Sequence, residues 1–229
     1  GIGVQHELPG VGENYRDHFA PRLNWRVKQP ITLNEQTRGL TMAKEVLKYF
    51  TTRRGILTWT AGIVFGFVKT RPELETPDMQ FHMAHASYAT AKDRKLDTEP
   101  GMTVTIGQCR PESRGSIHIR SDEAAAPPVI RPNFLSDQID RDATVAGMQI
   151  ARSIIEHPSM DAYRAYEMNP GSDVQTYDEW LDFARINGQT TYHVVGTCKM
   201  GSDPMAVVDD ELRVHGIAGL RVVDASVMQ

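Results

Sequence analysis

Around residues 22–28, Leu23, Trp25 and Val27 alternate with polar neighbours, the period of a half-buried strand. At 41–50, "TMAKEVLKYF", the period changes, and Ala43, Val46, Leu47 and Phe50 fall on one helical face. Residues 62–69, 79–86 and 102–109 read as strands, as does 115–120, where Ile117 and Ile119 alternate with polar residues. A second helix is predicted where Ala143, Gly147, Ile150, Ala151 and Ile154 share a face, with Asp140 as its cap. A third opens on Thr176 and Glu179, the spacing of a capping box, and ends at Asn187-Gly188. Residues 7–12 form a Pro/Gly turn, and the prolines of "AAAPPVIRPNFLSD" make 124–137 a loop. Residues 205–229 hold a turn and strand-like pieces. Strands and helices do not alternate as regular βαβ units. The expected class is therefore α+β, a mainly antiparallel sheet flanked by helices.

The longest nearly uncharged apolar run is "GILTWTAGIVFGFV", 55–68. It is too short to span a bilayer and reads as buried strand or core. No transmembrane segment and no signal peptide are expected. The chain has 229 residues, 40% hydrophobic and 24% charged, with net charge −4. That length supports a core without staples. The mixed charge and the lack of a long basic run exclude an electrostatically driven nucleic-acid partner. Cys109 and Cys198 are too few for a disulfide framework, so a reducing compartment is the default. The start, "GIGVQHELPG", has no initiator Met, and "VVDASVMQ" stops after a strand-like run. The chain is expected to be a piece of a longer protein.

The glycines of "GIG" at 1–3 and "GVGENY" at 10–15 suggest a phosphate cradle, but Tyr15 stands where a third glycine would complete the motif. A turn is the better reading. In "FHMAHASY", the odd separation of His82 and His85 sends them to opposite faces of a strand. They cannot share a metal there, and no metal site is expected. One of them facing a cavity is the functional alternative.

The stretch "TTYHVVGTCKMG", 190–201, holds His193 and Cys198. A Cys nucleophile with a His base lacks a local orienting group, and a metal site lacks further ligands at suitable spacing. Taken alone, a hydrogen-bonded core histidine is the better reading.

The stretch does not stand alone. Residues 192–226, "YHVVGTCKMG" followed by "DPMAVVDDELRVHGIAGLRVVDAS", closely resemble the C-terminal signature of the glucose–methanol–choline (GMC) flavoprotein oxidoreductases, in the choline and alcohol dehydrogenase branch. "LPGVGENYRDH", 8–18, resembles the segment after the family's second signature. "RPESRGSIHIRSDEAAAPPVIRPNFLSD", 110–137, resembles its substrate-domain hairpin and loop. The resemblance runs in register along essentially the whole chain.

It implies FAD as cofactor and a primary alcohol, oxidised to an aldehyde, as substrate. His193 would be the base beside the flavin, with hydride passing to flavin N5. Cys198 would have no direct role and be packed. Asp224 and Ala225 would contact the cofactor, with Asn14, and more weakly Asp17 and His18, bordering it. The substrate pocket would draw on the sheet around Thr60–Phe67, with Thr60, Phe65, Phe67, His82 and His85 as candidates.

The implied organisation is a segment at 1–20 bordering an FAD domain, a substrate-binding domain at 21–189, and a return to the FAD domain at 190–229. The partner would be an N-terminal FAD-binding half, covalently joined or a separate chain. The implied location is cytoplasmic, or peripheral to a membrane.

The dinucleotide motif that opens the family is missing here, and the second catalytic polar residue falls beyond Gln229. Val194 and Gln229 stand where the family commonly has proline. Other readings on the same fold are a hydroxynitrile lyase or photodecarboxylase, and a non-catalytic isolated domain.

Overall fold

The computed structural model describes residues 3–60, 62–90 and 95–229. Gly1 and Ile2 of the first glycine pair, and Ala61 of the apolar run, lie outside the described residues. The chain forms two compact units. One comprises Ala20–Cys109 and Asp142–Gln189; the other comprises Gly1–Phe19, Arg110–Arg141 and Thr190–Gln229. Residues 110–141, expected inside the 21–189 span, group with the terminal segments in this division. The cause is local pairing. Tyr15 and Gly115 exchange backbone hydrogen bonds of 2.9 Å each way, and Ile117 N–H donates to Gly12 O at 2.7 Å.

The first unit holds a five-stranded sheet. Its strands are β1 (Arg22–Val27), β2 (Val64–Val68), β3 (Met79–Ala84), β4 (Gly101–Gln108) and β7 (Arg164–Asn169). Their spatial order is β7-β1-β4-β3-β2, with each neighbouring pair antiparallel. Directly paired residues share a face. Leu23, Trp25, Met79, Phe81, Val104 and Ile106 form a buried face. Helix α2 (Gln138–Glu156) covers it so closely that a Cβ on Gly147 would lie 2.9 Å from Met79 Cε and 3.0 Å from Ile106 Cγ2. Phe65 pairs with His82, His82 with Thr105, and Phe67 with Gln80, which places these residues on the opposite face.

The other unit contains the hairpin β5 (Ser116–His118) and β6 (Val129–Arg131). Its core is Val207, Val208, Val214 and Val227, with Leu8, Cys198 and Met200 packed against it.

Several expectations change. The 124–137 loop contains β6, because its non-proline residues Val129–Arg131 pair with β5. The run 55–68 is not core. Ile56 is buried, but Trp59, Ile63, Val64, Phe65 and Phe67 are exposed, since β2 is an edge strand. Helix α1 (Gly39–Thr52) buries no residue fully, and Leu47 and Phe50 on its apolar face are exposed.

On α2 the inward face takes Ile155, while Ile154 points out. Asp140 lies within the first turn, where its carboxylate accepts from Glu112 and Ser113 N–H at 2.8 and 2.6 Å. Asp137 precedes the helix and accepts from Ile139 N–H at 2.8 Å. The strand-like pieces after 205 form isolated bridges and one 3-10 turn, because no long partner strand lies beside them.

The third helix is as expected. Helix α3 (Tyr177–Asn187) starts in a reciprocal Thr176/Glu179 capping box and buries Trp180, Leu181 and Ala184. Gly188 ends it in extended backbone, φ −72°, and not in the left-handed cap that glycine often supplies.

Trp180 sits against Arg152, whose guanidinium carbon is 4.0 Å from the indole centroid. Arg152 also pairs with Glu167 at 3.0 Å and donates to Val174 O and Gly171 O. Burial pushes the Glu167 carboxyl upward, and Arg152 opposes that shift. Removing one member of a buried pair strands the other. Arg152→Ala is therefore expected to cost about 3–5 kcal/mol, read as a lower denaturant midpoint of the protein. Exposed Arg185→Ala, paired with Asp182, is expected to cost under about 1 kcal/mol.

Candidate active site

The loop carrying His193 is tied to residues 12–18 by a ladder of backbone and side-chain bonds. Arg16 and Val195 exchange backbone hydrogen bonds of 3.0 and 2.9 Å. Gly12 N–H donates to Thr197 O at 2.8 Å, and Thr191 N–H to His18 O at 3.1 Å. Asn14 Nδ2 donates to Gly196 O at 3.3 Å. Gly196 adopts φ +91°, and a Cβ there would lie 2.4 Å from Asn14 O. Both the left-handed backbone and the close approach require glycine.

Asp17 is buried at 4% exposure. One carboxylate oxygen accepts from the His193 backbone N–H at 3.0 Å, and the other accepts from the Thr190 hydroxyl. Tyr15 also hydrogen-bonds to Asp17. Burial pushes its phenol up, and the Asp17 charge and hydrogen bond add to that. Thr190 Oγ1 accepts from Tyr192 N–H at 2.8 Å, and Tyr192 holds a left-handed φ of 63°. The His193 ring is exposed, and the His18 ring meets it edge-on, centroids 5.7 Å apart. His193 is thus not a buried core histidine. Its backbone is anchored and its imidazole is open.

Asp224 caps the 3-10 turn Ala225–Val227, accepting from Ser226 N–H at 2.8 Å and Ser226 Oγ at 2.5 Å. These bonds hold its carboxyl below the usual range. Cys198 N–H donates to Ser226 O at 2.9 Å, which stitches this turn to the segment after His193. Asn14, His193, Asp224 and Ala225 therefore belong to one unit. An open cleft of about 610 Å³ in that unit is lined by Arg213, His215, Ile217 and Leu220, none of them an expected site residue.

In the sheet-bearing unit, Phe65 meets His82 edge-on at 4.9 Å, and Phe67 shares their face. Thr60 precedes the strand and donates to Gly62 O at 2.5 Å. His85 follows β3 and meets Trp59 edge-on at 5.2 Å. Both of its ring nitrogens are shielded, with no hydrogen-bond partner among the described residues. His85 thus lies off the face that groups the other three, and Thr60 lies outside the strand. Sequence reading missed Thr190 and Tyr15. The signal of Thr190 was faint, because Asp17, 173 positions away, meets it only through folding. Among the described residues no three His, Cys, Asp or Glu side chains form a metal cluster.

The family model for GMC oxidoreductase matches residues 111–229. The chain belongs to that family. It is 37% identical to an oxygen-dependent choline dehydrogenase of Cronobacter sakazakii, covering 99% of this chain and 40% of that protein. It is 39% identical to an alcohol dehydrogenase [acceptor] of Pseudomonas putida, covering 100% and 41%. The chain thus spans about 40% of the length of these curated relatives. A solved Aspergillus oryzae formate oxidase variant shares the fold with TM-score 0.87, at 22% identity, over 100% of this chain and 44% of that one. Pyridoxine 4-oxidase from Mesorbium loti aligns with TM-score 0.81, at 23% identity, over 99% and 40%. The α+β fold with its antiparallel sheet is the GMC fold.

Burial pushes the His85 imidazole below its usual value of 6.5, and the charge of Glu35 works against that shift. The unfolded chain therefore takes up this proton more readily. The contribution to stability is full above the unfolded value and is lost as pH falls through the lower folded value. Acid unfolding of His85→Leu is expected to be shallower than that of the native protein below about pH 6.5. Identical acid limbs in a denaturation series would remove His85 as their source.

Proposed function

We propose that this GMC chain is the substrate-binding part of an FAD-dependent oxidoreductase that converts a primary alcohol to an aldehyde, with His193 as base. The carrying observation is the open His193 imidazole on a backbone fixed by Asp17 and by the Arg16–Val195 bridge. A choline dehydrogenase and an alcohol dehydrogenase are among the relatives that match 99–100% of the chain.

The candidate residues in the unit of His193 suit a flavin. The imidazole is open, and the capped turn at Asp224 and Ala225 is exposed within the same unit. Asn14, Asp224 and Ala225 would hold the cofactor. When bound, FAD supplies the acceptor for the hydride that leaves the alcohol carbon. His193 takes the hydroxyl proton on a ring nitrogen, and the resulting imidazolium offsets the developing alkoxide charge.

The substrate wall is assigned to the open sheet face bearing Phe65, Phe67 and His82, with Thr60 and His85 at its margin. The terminal segments 1–20 and 190–229 border the FAD domain in this reading. Val11, Leu220, Val223 and Met228 expose apolar surface in that unit, which suits burial under an N-terminal FAD-binding half. Neither Cys109 nor Cys198 is in a disulfide among the described residues, which suits a reducing compartment such as the cytoplasm. No helix among the described residues is long and apolar enough to cross a membrane.

The test uses the full-length protein. The visible spectrum should carry a flavin band. His193→Ala should cut turnover of an alcohol about 10²-fold or more at unchanged flavin content. Native turnover in that variant would remove His193 from the role of base. Cys198→Ser should stay within about three-fold of native turnover, since Cys198 packs against the valine core.

A further inference from the structure

We infer that Asp17 and His18 act as a consecutive positioning pair, Asp17 fixing the backbone of His193 and His18 bracing its ring. This rests on the reading of His193 as the base. Consecutive residues of an extended segment send their side chains to opposite sides. Asp17 accordingly turns inward, to 4% exposure, while His18 keeps contact with the His193 ring.

A buried carboxylate is costly unless its oxygens are bonded. The described donors that reach Asp17 are neutral: the His193 N–H, the Thr190 hydroxyl and the Tyr15 phenol. Two of these three come from the base loop itself. The same carboxylate clamps the strained residue before the base. Tyr192 sits at φ 63°, a conformation that costs a non-glycine residue about 1 kcal/mol or more. Its N–H is held by the hydroxyl that donates to Asp17. Freed from Asp17, residues 190–193 would relax toward ordinary backbone and carry the imidazole with them. The His18 edge contact would then restrain the ring alone. Small errors in the position of a proton acceptor reduce turnover strongly, while substrate contacts elsewhere are unaffected.

The experiment compares Asp17→Ala, Asp17→Asn, His18→Ala and His18→Phe in the full-length flavin-loaded enzyme, with His193→Ala as reference. Flavin content, kcat and KM are read separately. Asp17→Ala should lower kcat about 10- to 100-fold, with KM within about three-fold and the flavin spectrum unchanged. Asp17→Asn keeps an oxygen for the His193 N–H and should recover most of that loss. His18→Ala should lower kcat about five-fold, and His18→Phe, which restores a ring edge, should recover most of it.

Native kcat in Asp17→Ala would overturn the inference. So would a loss matched by loss of flavin, which would make Asp17 a cofactor residue. His18→Phe as slow as His18→Ala would overturn the bracing role and point to a protonic one. If Asp17→Ala does not fold, Thr190→Val carries the test, because it removes the clamp and keeps the carboxylate. A fall of about 10-fold in kcat at native flavin content supports the inference, and native kcat sinks it. Native turnover in His193→Ala would defeat the base assignment itself, whereas a slow His193→Ala beside a native Asp17→Ala defeats the positioning pair alone.

Discussion

The pairing of residues 12–18 with residues 190–197 is the constraint on which the candidate site depends. Asp17 and His193 stand 176 positions apart, so bringing them together closes a very long loop. Loop closure of that length carries a large entropic cost, although it grows slowly with length. The return is concentrated. A reciprocal backbone bridge, a glycine that admits Asn14, and a buried carboxylate all act within a few residues. The loop carrying His193 has little regular structure of its own. Its shape is imposed by the segment near the start of the chain.

The sheet-bearing unit is organised differently. One face of the sheet is filled by large apolar side chains and closed by α2, with Gly147 allowing the helix to approach. The other face presents Phe65, Phe67, Gln80, His82 and Thr105. In the proposed function, this asymmetry separates support from recognition. Residues that stabilise the sheet point one way, and the exposed Phe65 and Phe67 point the other. Arg152 shows a second device. A buried guanidinium holds β7, the 171–174 turn and α3 together through one ion pair, two carbonyls and an indole face.

Much of this was readable along the chain. The alternation at Leu23, Trp25 and Val27 located β1, and the Thr176/Glu179 spacing located the start of α3. Motif resemblance led to the GMC family and to His193. Periodicity failed where context decides. Residues 55–68 are apolar enough for a core, yet β2 lies at a sheet edge and leaves its phenylalanines open. The Leu47 and Phe50 face of α1 is amphipathic in pattern and still exposed. Prolines around Val129–Arg131 concealed a strand, because its partner lies outside the local window. Asp140 resembled a cap, but its carboxylate serves the backbone at 112–113.

By itself, the sequence determined the α+β class and the family signature, because these rest on local period and on long motifs. Only the tertiary structure decided that 110–141 groups with the terminal segments, that the apolar run 55–68 ends in an exposed edge strand, and that Asp17 anchors the His193 backbone. The physical reason is the same in each case. Side-chain period reports which face of its own element a residue occupies. It carries no information on which distant donor or carboxylate will meet that face once the chain has closed.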